Sequence, residues 1–287
     1  MLYTGYLDFW FLDAPPAERV ARFAELGIRA VDIWMWRAKG ESVMAELAAA
    51  CREAGSAINS TFDEAAGSLT DASDHPACLD AWTETLELAQ RWGAQHLFMF
   101  SEQIDPLPAR PGHGRTGETG LSHIQGWVKQ PSRNYSPEQR YANLIDGAAK
   151  VMERVEKTGI VVWFEALNTY HLHGPITVHT HEQAADVVRR IRHPQLRMSF
   201  DCYHQQRTAG NLIQGLRDCA GLYDSVHIGD VPTRQEPGTG EINFANLARA
   251  LRDLGYDTDG RGKIGLEFFP SADERDALAR VKAIFEP

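Results

Sequence analysis

An α/β chain folded as one (β/α)8 barrel, a TIM barrel, is what this sequence predicts. Eight short runs rich in β-branched, aromatic and other apolar residues alternate with longer stretches whose apolar residues recur at three and four. Eight such units favour a closed barrel over an open sheet. A doubly wound sheet is the alternative, weakened because no glycine-rich phosphate turn follows the first run. At 287 residues the chain is long for an ordinary domain, but barrels of this type commonly take roughly 250 residues as one unit. Residues 1–287 are therefore read as a single barrel domain.

In chain order the expected strands are residues 3–11, 30–36, 57–63, 96–100, 161–167, 197–204, 223–230 and 263–269. Between them lie amphipathic segments such as PAERVARFAELG, ESVMAELAAACREAG, ACLDAWTETLELAQRWG, SPEQRYANLIDGAAKVMERVEKTG and FANLARALRDLGY. Several end in Gly, the residue that most easily takes the left-handed conformation closing a helix. One connection breaks the rhythm: residues 101–135, SEQIDPLPARPGHGRTGETGLSHIQGWVKQPSRNY, leave the end of the fourth strand. Connections of that length are uncommon unless they serve as lids, binding loops or surface contacts. Trp127, Lys129 and Arg133 tilt the reading toward a loop that covers substrate.

Composition excludes some function classes. A formal charge of −10 argues against nucleic acid, because phosphate binding needs a concentrated positive face. Hydrophobic residues make up 43% of the chain, enough for a sizeable core. No apolar stretch approaches the ~20 residues of a membrane span, and Met1 runs into a strand-like segment with no leader pattern. Cys51, Cys78, Cys202 and Cys219 show no CxxC or disulfide-framework spacing, which suits reduced thiols in the cytoplasm.

The chemistry-bearing residues gather in the second half. Glu165, Asp201, His227 and Glu267 each fall at or near the C-terminal end of one of four consecutive apolar runs: VVWFEAL, RMSFDCYH, YDSVHIGD and KIGLEFF. If those strands are parallel neighbours, the four side chains converge at the mouth of the barrel. Glu165 and Glu267 are each costly to bury unpaired, so each must be neutralised by a cation or protonated. Taken singly, a strand-end Asp is more often a cap and a strand His more often a core residue. Their joint occurrence points to one divalent metal ion. Three carboxylates and an imidazole make a hard donor set that favours Mn²⁺ or Mg²⁺, with Co²⁺ and Zn²⁺ behind them. Such an ion acidifies the C–H beside a coordinated carbonyl, and a carboxylate on each side could move the proton between adjacent carbons. His204 lies three residues after Asp201 and is expected at the same mouth. The stretch HLHGPITVHTH, with His171, His173, His179 and His181, raises a second-metal reading against that of solvated imidazoles.

The string HIGDVPTRQEPGTGEINF (227–244), with FDCYHQQRTAGNL (200–212) and FEALNTY (164–170), resembles the hydroxypyruvate isomerases and 2-oxo-tetronate isomerases of the xylose isomerase-like TIM barrel superfamily. The resemblance implies that Glu165 and Glu267 are both metal ligands and the catalytic acid/base pair, with Asp201 and His227 completing the shell. It implies that His204 contacts a substrate oxygen and that Arg234 holds the substrate's polar or anionic end, a task its planar fork suits. Glu241 is read as a cap of the following helix rather than a partner of Arg234. The implied activity is aldose–ketose isomerisation of hydroxypyruvate or a related small oxo-acid or sugar through an enediolate, in a homo-oligomer. The long 101–135 loop and the aromatic first strands, with Trp10, Trp34 and Trp36, depart from that family's pattern. A sugar 3-epimerase or a lyase on an oxidised sugar would use the same residues. An apurinic endonuclease of the same barrel type would need a His-rich three-zinc cluster and a basic groove, and a non-catalytic sugar-binding barrel would need neither glutamate.

Overall fold

In the computed structural model, which describes residues 1–63, 68–106, 126–128, 134–170, 176–260 and 262–286, the apolar runs become strands. In chain order these are β1 (Leu2–Tyr6), β2 (Ala30–Ile33), β3 (Ala57–Thr61), β4 (His96–Met99), β5 (Ile104–Pro106), β6 (Gly126–Val128), β7 (Val161–Glu165), β8 (Leu196–Asp201), β9 (Tyr223–His227) and β10 (Lys263–Leu266). Eight of them close into a barrel in the order β1-β10-β9-β8-β7-β4-β3-β2, every pair parallel. Strands buried on both faces read as continuous apolar runs, and Val162, Trp163, Phe164, Phe200, Ile264 and Leu266 are accordingly shut from water on alternating faces. Each such side chain contributes about 1.5–3 kcal/mol on burial.

The helices are α1 (Pro16–Glu25), α2 (Trp36–Lys39), α3 (Glu41–Glu53), α4 (His75–Trp92), α5 (Pro137–Val155), α6 (His181–Ile191), α7 (Cys202–Thr208), α8 (Leu212–Asp218), α9 (Phe244–Asp253) and α10 (Glu274–Phe285). Their ends follow from sequence. Ser136 and Thr180 open α5 and α6 as capping boxes, each hydroxyl accepting an N–H from Gln139 or Gln183 while that glutamine's side chain returns to the cap N–H. Gly93 closes α4 at φ 76°, where a side chain would be strained. None of the described helices is long and apolar enough to cross a membrane.

All eight barrel strands end before their expected runs do, and three show why. The first ends at Tyr6, because the Phe9 and Trp10 N–H groups turn back to the Tyr6 carbonyl at 3.1 and 3.2 Å. The second ends at Ile33, and Met35, at φ 49°, leads into α2. The sixth ends at Asp201, whose carboxylate caps α7 by accepting the His204 N–H at 2.7 Å. Trp10 and Trp36 are core residues; their indole N–H groups reach the Leu266 carbonyl at 3.1 Å and Thr85 Oγ1 at 3.3 Å. The 101–135 connection begins as a ribbon, with β5 antiparallel to β6. The Trp127 side chain, Lys129 and Arg133 lie outside the described residues, as do residues 171–175.

Buried polar groups in this scaffold give it an acid limit. His96 stacks on Trp163 with ring centroids 4.0 Å apart, its Nδ1 donating to the Asn59 carbonyl at 2.9 Å. Burial, reinforced by Lys263, pushes its pKa down to about 3, and burial does the same to His181. Each is neutral when folded but protonates near 6.5 when unfolded, so the unfolded chain binds more protons between those values. Stability therefore falls as pH drops through that window, by up to about 1.4 kcal/mol per pH unit for each histidine. Urea unfolding of wild type and His96→Gln from pH 7 to 5 is expected to show a shallower acid slope in the variant; equal slopes would contradict this account.

Candidate metal centre

Barrel closure brings the four singled-out residues together. Glu165 ends β7, Asp201 ends β8, His227 ends β9, and Glu267 follows β10 by one residue. Asp201 lies in register with His227, and His227 with Gly265, so all four project from one rim. One ligand atom from each lies within 4.8 Å of the others, and all four residues are buried. His227 Nδ1 stands 3.0 Å from Glu267 Oε2, and 3.9 Å from both Glu165 Oε1 and Asp201 Oδ2. Nε2 meets Ser225 Oγ at 3.0 Å, while Ser199 Oγ and the Tyr6 hydroxyl lie beside the ring, each 3.1 Å from Nε2 and 3.2 and 3.3 Å from Nδ1. These partners fix the ring and turn Nδ1 toward the carboxylates. Space for the ring comes from Gly265, where an added Cβ would lie 2.6 Å from His227 Cδ2.

The electrostatics call for a cation. Burial drives the His227 pKa down to about 4 against the pull of Asp201 and Asp32, so its imidazole is neutral and able to donate a lone pair. Burial raises all three carboxylates: Asp201 to about 7 with help from Glu267, and Glu165 well above its ordinary value with help from Glu267 and Asp201. Glu267 also rises, and Arg234 opposes the shift. Glu165 Oε1 and Glu267 Oε2 have no hydrogen-bond partner. Orphaned buried carboxylate oxygens around a neutral imidazole fit a hard divalent cation, which would neutralise them and use the lone pairs.

The loop after β9 supplies Arg234, which is buried at the cluster rather than solvated. Arg234 is 3% exposed, with Nη2 2.9 Å from Glu267 Oε1 and 3.6 Å from Asp201 Oδ2. Asp230, which sequence reasoning did not single out, builds that loop. Its carboxylate accepts N–H bonds from Val231, Gly238, Gly240 and Ile242 at 2.9–3.0 Å. Gly240 is needed because a Cβ there would lie 2.0 Å from the Val231 carbonyl oxygen. Glu241 does not cap α9; Asn243 does, accepting the Asn246 N–H at 3.0 Å, while Glu241 Oε1 accepts from Gln206. A residue placed three positions before a helix starts is too early to meet its free N–H groups.

His204 joins the rim from α7. Its Nδ1 accepts both the backbone N–H of Asn168 at 3.1 Å and the Asn168 amide at 2.7 Å, which leaves Nε2 to carry the proton of the neutral ring. Asn168 is a second residue whose role the sequence did not reveal. On the other side of the mouth an aromatic wall runs from Phe9 through Trp34 and Phe62 to Phe100 and Phe98, with successive centroids 5.0–6.0 Å apart. His179 and His181 do not support the second-metal reading. His179 bonds the Ile176 carbonyl and His181 bonds the Asp201 carbonyl, while His171 and His173 lie outside the described residues.

Similar proteins agree with this architecture. The chain is 27% identical over 184 residues to the putative hydroxypyruvate isomerase of Xenopus laevis, covering 58% of this chain and 66% of the relative. It is 28% identical over 151 residues to hydroxypyruvate isomerase of Escherichia coli (strain K12), covering 53% and 57%. It is 30% identical over 142 residues to 2-oxo-tetronate isomerase of Cupriavidus necator, covering 49% and 52%. These matches span about half to two-thirds of the relatives' lengths. Among solved structures, an AP endonuclease, family 2, from Brucella melitensis superposes with a TM-score of 0.77 at 21% identity over 98% of each chain. A 3-keto-D-glucoside 4-epimerase from E. coli gives 0.75 at 20% over 99% of each. At such identities the likeness concerns the fold alone. The family described as Xylose isomerase-like TIM barrel matches residues 20–284, and the chain belongs to that family.

Proposed function

We propose that this protein is a divalent-metal-dependent isomerase that moves a carbonyl between adjacent carbons of hydroxypyruvate or a related small oxo-acid or sugar. What carries the reading is the pair Glu165 and Glu267. They rise from strand ends separated by β8 and β9, converge on one buried cluster, and each keeps a carboxylate oxygen without a hydrogen bond. Glu165, Asp201, His227 and Glu267 would hold the ion, Mn²⁺ or Mg²⁺ by the hardness of the donor set. When bound, that ion supplies Lewis-acid polarisation that lowers the pKa of a C–H beside a carbonyl.

The chain's own residues supply the rest. One glutamate, ionised, takes the proton from the carbon bearing the hydroxyl, giving an enediolate; the other, protonated, gives its proton to the neighbouring carbon, while the hydroxyl proton passes to the former carbonyl oxygen and the two glutamates then exchange a proton with solvent. Their burial favours this work, because a raised pKa brings a carboxylate closer to that of the proton it exchanges. His204 would contact a substrate oxygen, and Arg234 would receive the polar or anionic end. The names of the similar isomerases point the same way. A cytoplasmic homo-oligomer completes the proposal, in keeping with four buried free thiols. One observation favours a second reading. Trp34, the partly exposed ring of the aromatic wall between buried Phe9 and Phe62, gives the mouth an apolar face that suits 3-epimerisation of a longer sugar by the same two glutamates.

EDTA is expected to abolish turnover and Mn²⁺ to restore it best. Glu267→Gln is expected to bind Mn²⁺ while losing roughly 10²–10⁴ in kcat, the range for removing a general acid or base; full activity in that variant would falsify the two-glutamate mechanism. Incubation with hydroxypyruvate in D₂O, followed by NMR, should give tartronate semialdehyde carrying solvent deuterium. Deuterium entering a ketohexose but not hydroxypyruvate moves the assignment to the epimerase. Gly265→Ala should weaken Mn²⁺ binding and lower Tm, since its methyl displaces the His227 ring; unchanged Mn²⁺ affinity would show that His227 is not a ligand.

A further inference from the structure

The carboxylates of Asp201 and Glu267 face a cation of the chain's own, the guanidinium of Arg234. A residue kept only for the far end of a substrate has no need to touch the ion's ligands. Arg234 does so while nearly all of it is removed from water, and its remaining neighbours are rings. Its Cζ lies 4.8 Å from the Tyr203 centroid, 5.2 Å from Phe9 and 5.6 Å from Trp34. Aromatic faces stabilise a guanidinium without supplying an anion, so its charge partners are the carboxylates of the cluster. The backbone below is fixed: the Arg234 N–H donates to the Asp230 carbonyl, and its carbonyl accepts from the Phe269 N–H, both at 2.8 Å. Motion is left to the side chain. Its Nε and Nη2 make no hydrogen bond, so charge, rather than a saturated fork, holds it against Glu267.

We propose that Arg234 is the built-in counter-ion of the cation-free site: it competes with the divalent ion for Glu267 and Asp201, and it turns its donors to the substrate once the ion has taken those carboxylates. This rests on the metal reading above and goes beyond it. Three buried carboxylates gathered without positive charge would repel one another, and Arg234 lets the site exist preformed. The same charge opposes a second cation a few ångströms away, so Arg234 weakens the ion's binding while stabilising the empty site. Ion and substrate thereby become coupled through one side chain, since Arg234 is engaged with Glu267 until the ion releases it.

The test is Mn²⁺ affinity by calorimetry, with Tm measured with and without Mn²⁺, on wild type, Arg234→Met and Arg234→Lys. Arg234→Met is expected to bind Mn²⁺ at least tenfold more tightly, to have a lower metal-free Tm, and to gain more from the ion than wild type does. Arg234→Lys keeps the charge and should stay near wild-type affinity. Should Arg234→Met fold only when Mn²⁺ is present, the counter-ion role is upheld. Equal or weaker Mn²⁺ binding by Arg234→Met overturns the proposal and leaves the metal site standing; absence of Mn²⁺ binding by wild type removes the metal site and the proposal together. A measurement on wild type covers the case in which Arg234→Met does not fold at all. The Arg234 Nε–H resonance, assigned by its loss in Arg234→Lys, should shift on saturation with Mg²⁺, and a resonance that stays put overturns the proposal.

Discussion

Three carboxylates and a neutral imidazole packed within 4.8 Å of one another, out of reach of water, form the constraint around which the rest of this molecule is arranged. Gathering like charges in a low-dielectric interior is unfavourable unless positive charge is present or protons are taken up. Both responses are visible. Burial raises the carboxylate pKa values, and Arg234 is drawn out of its loop and into contact with Glu267. Neighbouring elements serve the same end. Gly265 makes room for the His227 ring, the hydroxyls of Tyr6, Ser199 and Ser225 hold the ring, and Asp230 gathers four backbone N–H groups so that Arg234 arrives from a fixed loop.

Asp201 shows how tightly fold and site are joined. One carboxylate oxygen caps α7 by accepting the His204 N–H, while the other faces His227 and Arg234. Capping fixes the carboxylate's rotamer, and the helix it starts carries His204 to the rim. Removing that side chain would therefore disturb two site residues as well as a helix end, so loss of function there would not by itself identify a ligand. His181 adds a second support from α6, donating from Nε2 to the Asp201 carbonyl at 3.2 Å.

Much of this was legible in the sequence, for a physical reason. An acidic residue in a run of Val, Trp and Phe stands out because burial of an unpaired charge is costly, and Glu165, Asp201, His227 and Glu267 occupied equivalent places in four successive units. Periodicity also sufficed for the barrel. Residues whose work depends on long-range geometry gave no such signal. Asp230 reads as an ordinary turn Asp until Gly238, Gly240 and Ile242 fold back on it, and Asn168 gains meaning only when His204 arrives from 36 residues away. The sequence singled out Arg234 for a substrate's polar end but gave no sign that it would be buried against the ligands, and the aromatic rings of Phe9, Trp34 and Tyr203 explain how it can be. Strand ends were overextended where apolar residues continue into turns, as at Leu7–Trp10, because hydrophobicity marks burial rather than backbone conformation.

The strand order divides the mouth into two arcs. β7, β8, β9 and β10 are contiguous and carry the acidic cluster, while β4, β3, β2 and β1 are contiguous and lead into the aromatic wall. A substrate lying across the mouth would present its oxygens to one arc and its carbon skeleton to the other. Chemistry and selection are then separable. The first arc is pinned by charge, so few substitutions within it are neutral, whereas the second is held by ring packing, which tolerates changes of shape at constant volume. On the proposed function, substrate range in a barrel built this way would be set by β1 to β4 and the loops above them, and the reaction type by β7 to β10. Arg234 spans the division, its charge against Glu267 and its guanidinium beside the rings of Phe9 and Trp34.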